Sequence, residues 1–245
     1  MHDDDTQGDI IRLGSARKTG FLKRWLWRLV LVIVLFALLP YLLLPLYRPT
    51  FVHPISVPMF SRLVTVSGYD RQWVAFEDIS PVLVQSVMMS EDGQFCNHHG
   101  VDWRELQAVA QDAFSGERAR GASTIPMQTV KNLFLWNDRS YIRKVAELPL
   151  AIAADIVWPK KRIMEIYLNI AQWGPDTFGI EAAAQAEFGI SASDLSRRQA
   201  ALLAVSLPNP DQRRASNPSG LMLKLAARVE RLGRASGSYI TCLYD

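Results

Sequence analysis

Residues 91–102 read EDGQFCNHHGVD, which brings three carboxylates, a phenylalanine, two histidines and two glycines into one short stretch. Apolar residues recur with helical spacing from Ser80 to Glu91, and they place Glu91 at the end of the apolar face. The sequence DWRE, at residues 102–105, has the spacing of a capping box and predicts a second helix to about Phe114. The stretch is therefore predicted to be a polar loop between two helices, where we expect the functional groups.

The position of Glu91 allows two interpretations. At the end of an apolar stripe the carboxylate would be partly desolvated, which raises its pKa and suits a general base. A last-turn glutamate is also compatible with full exposure to solvent. Asp102 is expected to be the helix cap, and His98 an orienting neighbour. A metal site built from Cys96, His98 and His99 is a weaker alternative, because no second ligand pair in helical register accompanies them.

Composition limits the classes of protein to which the chain can belong. It has 245 residues, of which 49% are hydrophobic and 21% charged, with a net charge of +3. These values predict one globular domain with appendages, and the mild charge argues against a nucleic-acid partner. The two cysteines, Cys96 and Cys242, form neither a disulfide framework nor a CxxC zinc pattern. Whether they pair in an oxidising compartment stays open at this point.

An uncharged run, LVLVIVLFALLPYLLLPLY, occupies residues 29–47 after a polar tail at residues 1–28. As a helix it would be roughly 30 Å long, the thickness of a bilayer core. A signal peptide or a buried core helix would be alternatives, but the run is long for a signal peptide and no small-residue cleavage site follows. Six Lys and Arg residues precede the run and only Arg48 follows closely. The positive-inside rule thus predicts a single-pass anchor with a cytoplasmic N-terminus and the remaining chain across the membrane. In a bacterium this is the inner membrane, with a periplasmic domain.

The rest of the chain is predicted to be a linker followed by a mainly α domain. Residues 48–79 contain a proline-rich extended linker and then a short hairpin, with strands at residues 62–66 and 72–76. Residues 80–233 are predicted to be helical, and residues 234–245 a tail. The predicted helices cover residues 80–91, 102–114, 125–136, 140–157, 160–173, 179–188, 194–207 and 218–232.

A basic cluster follows the small-residue turn GAST at residues 121–124. The turn precedes a helix, whose N-terminus is predicted to offer free N–H groups to an anion. Lys131, Arg139 and Arg143 come next, with Lys144 beside them. They are either solvated surface charges or a site for a phosphate or diphosphate. Glu147 lies four residues after Arg143 on a face continued by alanines, where it would border a cleft.

Five blocks of the sequence, in order, resemble the signature motifs of the peptidoglycan glycosyltransferases, glycosyltransferase family 51. They extend over most of the region from Ser80 to Pro210, so together they are much more specific than any one motif. The blocks are EDxxFxxHxGxD at residues 91–102, GASTIxxQxxKNLF at 121–134, RKxxE at 143–147, IYLN with a later glycine at 166–174, and AALL with PNP at 200–210.

The resemblance implies a lysozyme-like helical glycosyltransferase domain with a small jaw subdomain. It also implies polymerisation of lipid II into β-1,4 glycan strands, with inversion at the donor sugar and release of undecaprenyl diphosphate. The implied partners are lipid II, the growing strand, the membrane and other cell-wall synthesis or division proteins. No cofactor is implied as a requirement. Mg²⁺ beside the diphosphate is compatible with the family's chemistry, although no dedicated metal cage is visible.

The family's functional residues can be matched position by position. Glu91 corresponds to the general base that takes the proton of the acceptor 4-hydroxyl, and Glu147 to the second essential carboxylate. The positions around the donor diphosphate are Lys131, Arg139 and Arg143, and those lining the donor pocket are Ser123, Gln128 and Asn132.

The second block departs from the commonest family pattern at three positions. Ala122 adds only a methyl group, whereas Pro126 and Met127 alter the start of the donor-pocket helix and its contacts with an anion. Two other functions remain open. A membrane-bound lytic glycosidase would share the helical fold and a catalytic glutamate. A non-catalytic scaffold would use only the anchor and a protein surface.

Overall fold

The computed structural model describes residues 15–115, 121–136, 138 and 140–244, and within them the chain is mainly α-helical, as predicted. Each of the eight helices predicted after residue 79 is found, with ends that differ by a few residues. The α-helices are α1 (Ser15–Tyr47), α2 (Val57–Val64), α3 (Pro81–Glu91), α4 (Trp103–Ser115), α5 (Ile125–Phe134), α6 (Tyr141–Val157), α7 (Lys160–Ile170), α8 (Ile180–Phe188), α9 (Arg197–Ser206) and α10 (Gly220–Arg234). Short 3₁₀ helices cover Phe76–Asp78, Ala192–Asp194 and Gly237–Leu243.

Helix α1 contains the predicted membrane span. Its segment Phe21–Tyr47 is 27 residues long with a mean hydropathy of 2.9, so by length and composition it can cross a membrane. The helix is already formed at Ser15, well before the predicted start of the span at Leu29. The boundary between the two compact units of the chain falls after Leu43, so the last turn of α1 belongs to the second unit.

The predicted hairpin at residues 62–76 is wrong. Ser56 caps a helix there, because its Oγ accepts a hydrogen bond from the backbone N–H of Met59 at 3.4 Å. Pro58 fits the first turn of this helix, α2, where no backbone donor is needed. The strand that follows, β1 (Asp70–Arg71), pairs in parallel with the distant β2 (Thr177–Phe178). Local alternation could not reveal a partner so far along the chain.

The segment between α1 and α2, where the prolines predict a stiff extended linker, is held in place by hydrogen bonds from two arginine side chains. Arg162 donates from Nε to the carbonyl of Tyr47 at 3.0 Å and from Nη2 to that of Val52 at 2.5 Å. Arg71 donates from Nη1 to the carbonyl of Pro54 at 2.6 Å. The last carbonyl of α1 and two carbonyls of the segment that follows it thus find charged donors, which satisfies backbone groups close to the core.

Two groups of packed helices form the core of the second unit. Helices α3, α9 and α10 pack against one another, and α5 packs against α6 and α7. Every residue of α7 from Arg162 to Ile170 is buried, as expected for a helix surrounded on all sides. Glu91, at the end of α3, and Gln128, on α5, therefore face each other across the junction of the two groups.

The loop of residues 91–102 passes very close to α6. Gly100 has a φ of +79°, and a Cβ built there would lie 2.5 Å from the carbonyl oxygen of Ala151. Only glycine fits this backbone conformation and this approach. The loop ends at Asp102, whose Oδ1 accepts from the N–H groups of Arg104 at 3.0 Å and Glu105 at 3.1 Å. Asp102 is thus the helix cap of α4, as predicted.

A disulfide between Cys96 and Cys242 answers the question that the sequence left open. Their Cα atoms are 5.7 Å apart, and 146 positions separate them in the chain. The bridge ties the loop after Glu91 to the 3₁₀ helix Gly237–Leu243.

We expect Gly100→Ala to destabilise the second unit by about 2–4 kcal/mol, because the substitution combines a left-handed backbone with a steric clash. Chemical denaturation of the detergent-solubilised chain measures this change. Gly93→Ala is the matched control from the same loop, because a Cβ there meets no atom within 4 Å. Equal stability of the two variants would contradict the close approach at Ala151.

We expect reduction of the disulfide to lower the free energy of unfolding by about 2–5 kcal/mol, because the bridge closes a long loop. Thermal unfolding of the wild type with and without a reductant measures the loss. The Cys96→Ser/Cys242→Ser variant should match the reduced wild type and be insensitive to the reductant. A wild-type Tm that is unchanged by the reductant would rule out a stabilising bridge.

Candidate active site

Glu91 is the last residue of α3 and its side chain is half-buried. Its Oε2 accepts a hydrogen bond from Nε2 of Gln128, on α5, at 3.0 Å. The amide oxygen of Gln128 accepts in turn from the hydroxyl of Tyr167, on α7, at 3.3 Å. Three helices therefore determine where this carboxylate lies, and the fully solvated alternative for Glu91 does not fit the geometry.

The surroundings of Glu91 raise the pKa of its carboxyl group. Burial is the main cause, and the adjacent charge of Asp92 acts in the same direction. The hydrogen bond from Gln128 and the positive charge of Lys131 oppose the rise without cancelling it. A carboxylate with a raised pKa is a stronger base than an ordinary glutamate, which suits it to accept a proton.

Asp92 has a structural position. Its two carboxylate oxygens accept from Nε2–H of His98 at 2.9 and 3.0 Å, and Oδ2 also accepts from the backbone N–H of Ile125 at 2.9 Å. Asp92 and His98 are both buried. The pair thus connects the loop of residues 91–102 to the start of α5.

The same contacts exclude the alternative metal site. The Sγ of Cys96 is bonded to Cys242, and Nε2 of His98 is engaged by Asp92. His99 is exposed and pairs instead with Asp155, at 3.3 Å. These three side chains therefore do not converge on an ion.

The first turn of α5 does not offer the free N–H groups that the sequence predicts for an anion there. The N–H of Ile125 donates to Asp92, and the N–H of Met127 donates to Oγ1 of Thr124 at 3.3 Å. Pro126 has no N–H to offer. The first turn therefore has no donor left for an anion. Pro126 and Met127 are also buried, so these two departures from the family pattern lie inside the core and outside the cleft.

A buried carboxylate organises the basic cluster. Glu147 is 1% exposed, and its carboxylate pairs with the guanidinium of Arg143 and, at 3.0 Å, with Nζ of Lys144. Lys144 Nζ also donates to Oγ of Ser123 at 2.6 Å. Glu147 thus holds two cations in place and partly neutralises them, which a buried charge requires. The predicted diphosphate residue Arg139 lies outside the described residues.

Lys131 is a half-buried cation whose pKa is affected by two carboxylates, Glu91 and Glu147. Burial lowers the pKa of its ammonium group, and the nearby charges of Arg143 and Lys144 lower it further. Glu147 and Glu91 act in the opposite direction. Three cations thus lie near two carboxylates, Glu147 and Glu91, and this excess of positive charge favours an anionic ligand.

Two cavities meet at Glu91 and Gln128. A larger one, of about 680 Å³, is lined by Glu91 and Ser123. A smaller one, of about 230 Å³, is lined by Gln128, Lys131 and Asn132. Pro208 contributes to both walls. The structure therefore brings three of the predicted substrate-binding residues together and places Ser123 in the other cavity.

For some residues of the cleft, patterns in the sequence do not reveal the position that the structure shows. Arg213 and Arg228 line the larger cavity although they lie after the last motif block, and neither forms an ion pair within the described part of the chain. Lys144 stands within a motif but its bridge between Ser123 and Glu147 is visible only in the folded chain. Tyr167 looks like an ordinary core residue from periodicity alone.

Comparison with known proteins gives consistent results over most of the chain. A sequence model of the family described as Transglycosylase matches residues 59–232. A Rhizobium meliloti protein named biosynthetic peptidoglycan transglycosylase is 63% identical over 218 residues, which cover 89% of this chain and 92% of that protein. A protein of the same name from Agrobacterium fabrum is 62% identical and covers 89% of this chain and 96% of its own length. Another, from Brucella suis, is 56% identical over 86% of this chain and 95% of its own length.

We expect Glu91→Gln to raise the Tm at neutral pH, because a folded-state pKa above the unfolded value means that ionisation of Glu91 destabilises the fold. The gain should shrink as the pH falls through the raised pKa, where the wild-type carboxyl becomes neutral. Thermal unfolding of both chains as a function of pH measures the difference.

Glu77→Gln is the matched control, for which the Tm should change in the opposite direction. A hydrogen bond from Lys161 lowers the pKa of the exposed Glu77, so this ionisation stabilises the fold slightly. Glu77→Gln should therefore lower the Tm, if it changes at all. A lower Tm for Glu91→Gln at neutral pH would contradict the desolvation of Glu91.

Proposed function

Because the chain belongs to the transglycosylase family, and is thus a peptidoglycan glycosyltransferase that builds glycan strands, we propose that it polymerises lipid II into β-1,4-linked strands and releases undecaprenyl diphosphate. One observation carries the proposal: the half-buried Glu91 lines the larger cavity and accepts a hydrogen bond from Gln128, which lines the smaller cavity together with the cation Lys131. A base on one side and positive charge on the other are what an inverting transfer from a lipid diphosphate requires.

Glu91 is the proposed general base. Its carboxylate takes the proton from the 4-hydroxyl of the acceptor sugar while that oxygen attacks C1 of the lipid-linked donor. The new C1–O bond forms on one face as the bond from C1 to the diphosphate oxygen breaks on the other, so the configuration at C1 inverts. The raised pKa of Glu91 brings its basicity closer to that needed for proton transfer near neutral pH.

The leaving diphosphate needs charge neutralisation and no proton. We assign this role to Lys131 and Arg143, with Arg139 added on the resemblance alone. Glu147 contacts Arg143 and Lys144, and we assign it the task of keeping both cations in the orientation that faces the diphosphate. These side chains can replace a general acid. Mg²⁺ beside the diphosphate remains an optional addition, which omission of the metal from the assay would test.

The two cavities suggest separate binding sites for the donor and the acceptor. We assign the donor to the smaller cavity, because Gln128, Lys131 and Asn132 line it together. The acceptor sugar is assigned to the larger cavity, on the Glu91 side. Ser123 contacts Lys144 at 2.6 Å, so we assign it to positioning that cation and no longer to the donor pocket.

The chain has the features of a membrane-anchored enzyme, with one N-terminal helix long and apolar enough to span a bilayer. We propose a cytoplasmic N-terminus and a periplasmic active site, on the charge bias before the span. The Cys96–Cys242 bridge supports an oxidising compartment. Large apolar side chains that are exposed after the span, such as Phe51 (81%) and Val66 (90%), support a surface close to lipid. Other cell-wall synthesis or division proteins remain proposed partners.

The test is polymer formation from labelled lipid II by the full-length chain in detergent. The wild type should make polymer, and Glu91→Gln should lower turnover by about 10²–10⁴-fold as expected for loss of a general base. Lys131→Ala should lower turnover by about 10²-fold with little change in Tm. Lys224→Ala, an exposed lysine on α10, is the matched control and should behave as the wild type.

The outcomes separate the alternatives. A lytic glycosidase would release soluble fragments from finished peptidoglycan without needing a lipid diphosphate. A scaffold would be indifferent to Glu91→Gln. Absence of polymer from a well-folded wild-type chain would reject the proposal, and normal turnover of Lys131→Ala with a lowered Tm would reassign Lys131 to a structural role.

A further inference from the structure

Tyr167 stands in the fourth motif block, and the mechanism above gives it no task. It lies on α7, is 1% exposed and is surrounded by the core. Its hydroxyl nevertheless points at a polar group, because it donates to the amide oxygen of Gln128 at 3.3 Å. The amide nitrogen of the same side chain donates to Glu91 at 3.0 Å. A phenol, an amide and a carboxylate therefore form one chain of hydrogen bonds across three helices.

This chain of hydrogen bonds selects one of two orientations of the Gln128 amide. With the phenol donating to Oε1, the NH₂ group must face Glu91 and stabilise the ionised carboxylate. The reversed amide would place its oxygen against the carboxylate oxygen, which repels the charge. The phenol on the far side of Gln128 thus adds to the carboxylate's own preference for the amide with its NH₂ group toward Glu91.

We infer that Tyr167 is a positioning residue for the glycosyl transfer, acting on Glu91 through the amide of Gln128. This inference rests on the proposed role of Glu91 as the general base. Tyr167 orients Gln128, and Gln128 holds Oε2 of Glu91 and keeps the carboxylate in its proton-accepting form before the acceptor hydroxyl arrives.

The phenol is well suited to be a permanent donor. Burial raises the pKa of Tyr167 well above its ordinary value, and the negative charges of Glu91 and Asp92 raise it further. The hydroxyl therefore keeps its proton over the whole working pH range. Its donation does not depend on the titration of its neighbours.

A purely structural role is the alternative, because the ring of Tyr167 also fills the core and borders the smaller cavity. Tyr167→Phe separates the two roles, since it keeps the ring and removes only the hydroxyl. We expect Tyr167→Phe to lower kcat in lipid II polymerisation by about two- to tenfold, the effect of one lost hydrogen bond. The KM for lipid II should change less than kcat.

The pH profile of kcat separates the two roles, because a change in core packing alone would not shift its acidic limb. The Gln128 hydrogen bond lowers the pKa of Glu91, so its weakening in Tyr167→Phe should shift the acidic limb of the kcat profile to higher pH. Tyr239→Phe, on an exposed tyrosine, is the matched control and should leave the limb in place. In a Gln128→Ala background, Tyr167→Phe should have no further effect on the limb, because its route to Glu91 is gone.

A second measurement tests the inference without any activity. The pH dependence of the Tm difference between a chain with Glu91 and the same chain with Glu91→Gln reports the pKa of Glu91. That pKa should be higher in the Tyr167→Phe background than in the wild type. An unchanged pKa, or equal effects of Tyr167→Phe with and without Gln128, would overturn the inference. Absence of polymer from the wild type would reject the proposed function, and this titration would still decide the role of Tyr167.

Discussion

The rest of the candidate site depends on the hydrogen bonds that the buried carboxylate of Asp92 accepts. It accepts hydrogen bonds from His98 in its own loop and from the first residue of α5, Ile125. One side chain thus connects the end of α3 to the start of α5. Because this junction is fixed, Glu91 can meet Gln128 at hydrogen-bonding distance, and the two cavities open on either side of the same contact.

Glu91 and Lys131 are both ionisable side chains that are partly removed from solvent, and such burial lowers the stability of the fold. Burial opposes the charged form of both groups, a penalty that raises the pKa of Glu91 and lowers the pKa of Lys131. Glu147 offsets part of the second penalty by pairing with two cations that would otherwise repel one another. The stability to support these groups comes from elsewhere, from the tightly packed helices α7 and α9 and from the disulfide.

Local signals in the sequence predicted the helices and much of the site, because caps, proline positions and apolar periodicity act within a few residues. Asp102 is the cap that its spacing indicates, and Glu91 ends an apolar stripe. Features that depend on distant parts of the chain were not predictable. The strand partner of β1 lies about a hundred residues away. At the N-terminus of α5, the N–H of Ile125 is taken by Asp92 and that of Met127 by Thr124, and no motif reveals these contacts. The cavity that receives Ser123 is likewise a property of the folded chain.

The position of the disulfide sets an order of events during biogenesis. Cys96 follows Glu91 closely, whereas its partner comes 146 positions later. If the chain crosses the membrane starting from its anchored end, the loop that follows Glu91 emerges first. Its Cys96 can form the bridge only after Cys242 has also crossed. The covalent closure of that loop is therefore a late step in maturation. A chain arrested between the two cysteines would expose Glu91 without this bridge, so on that route the passage of Cys242 across the membrane and the assembly of the candidate site are linked in time.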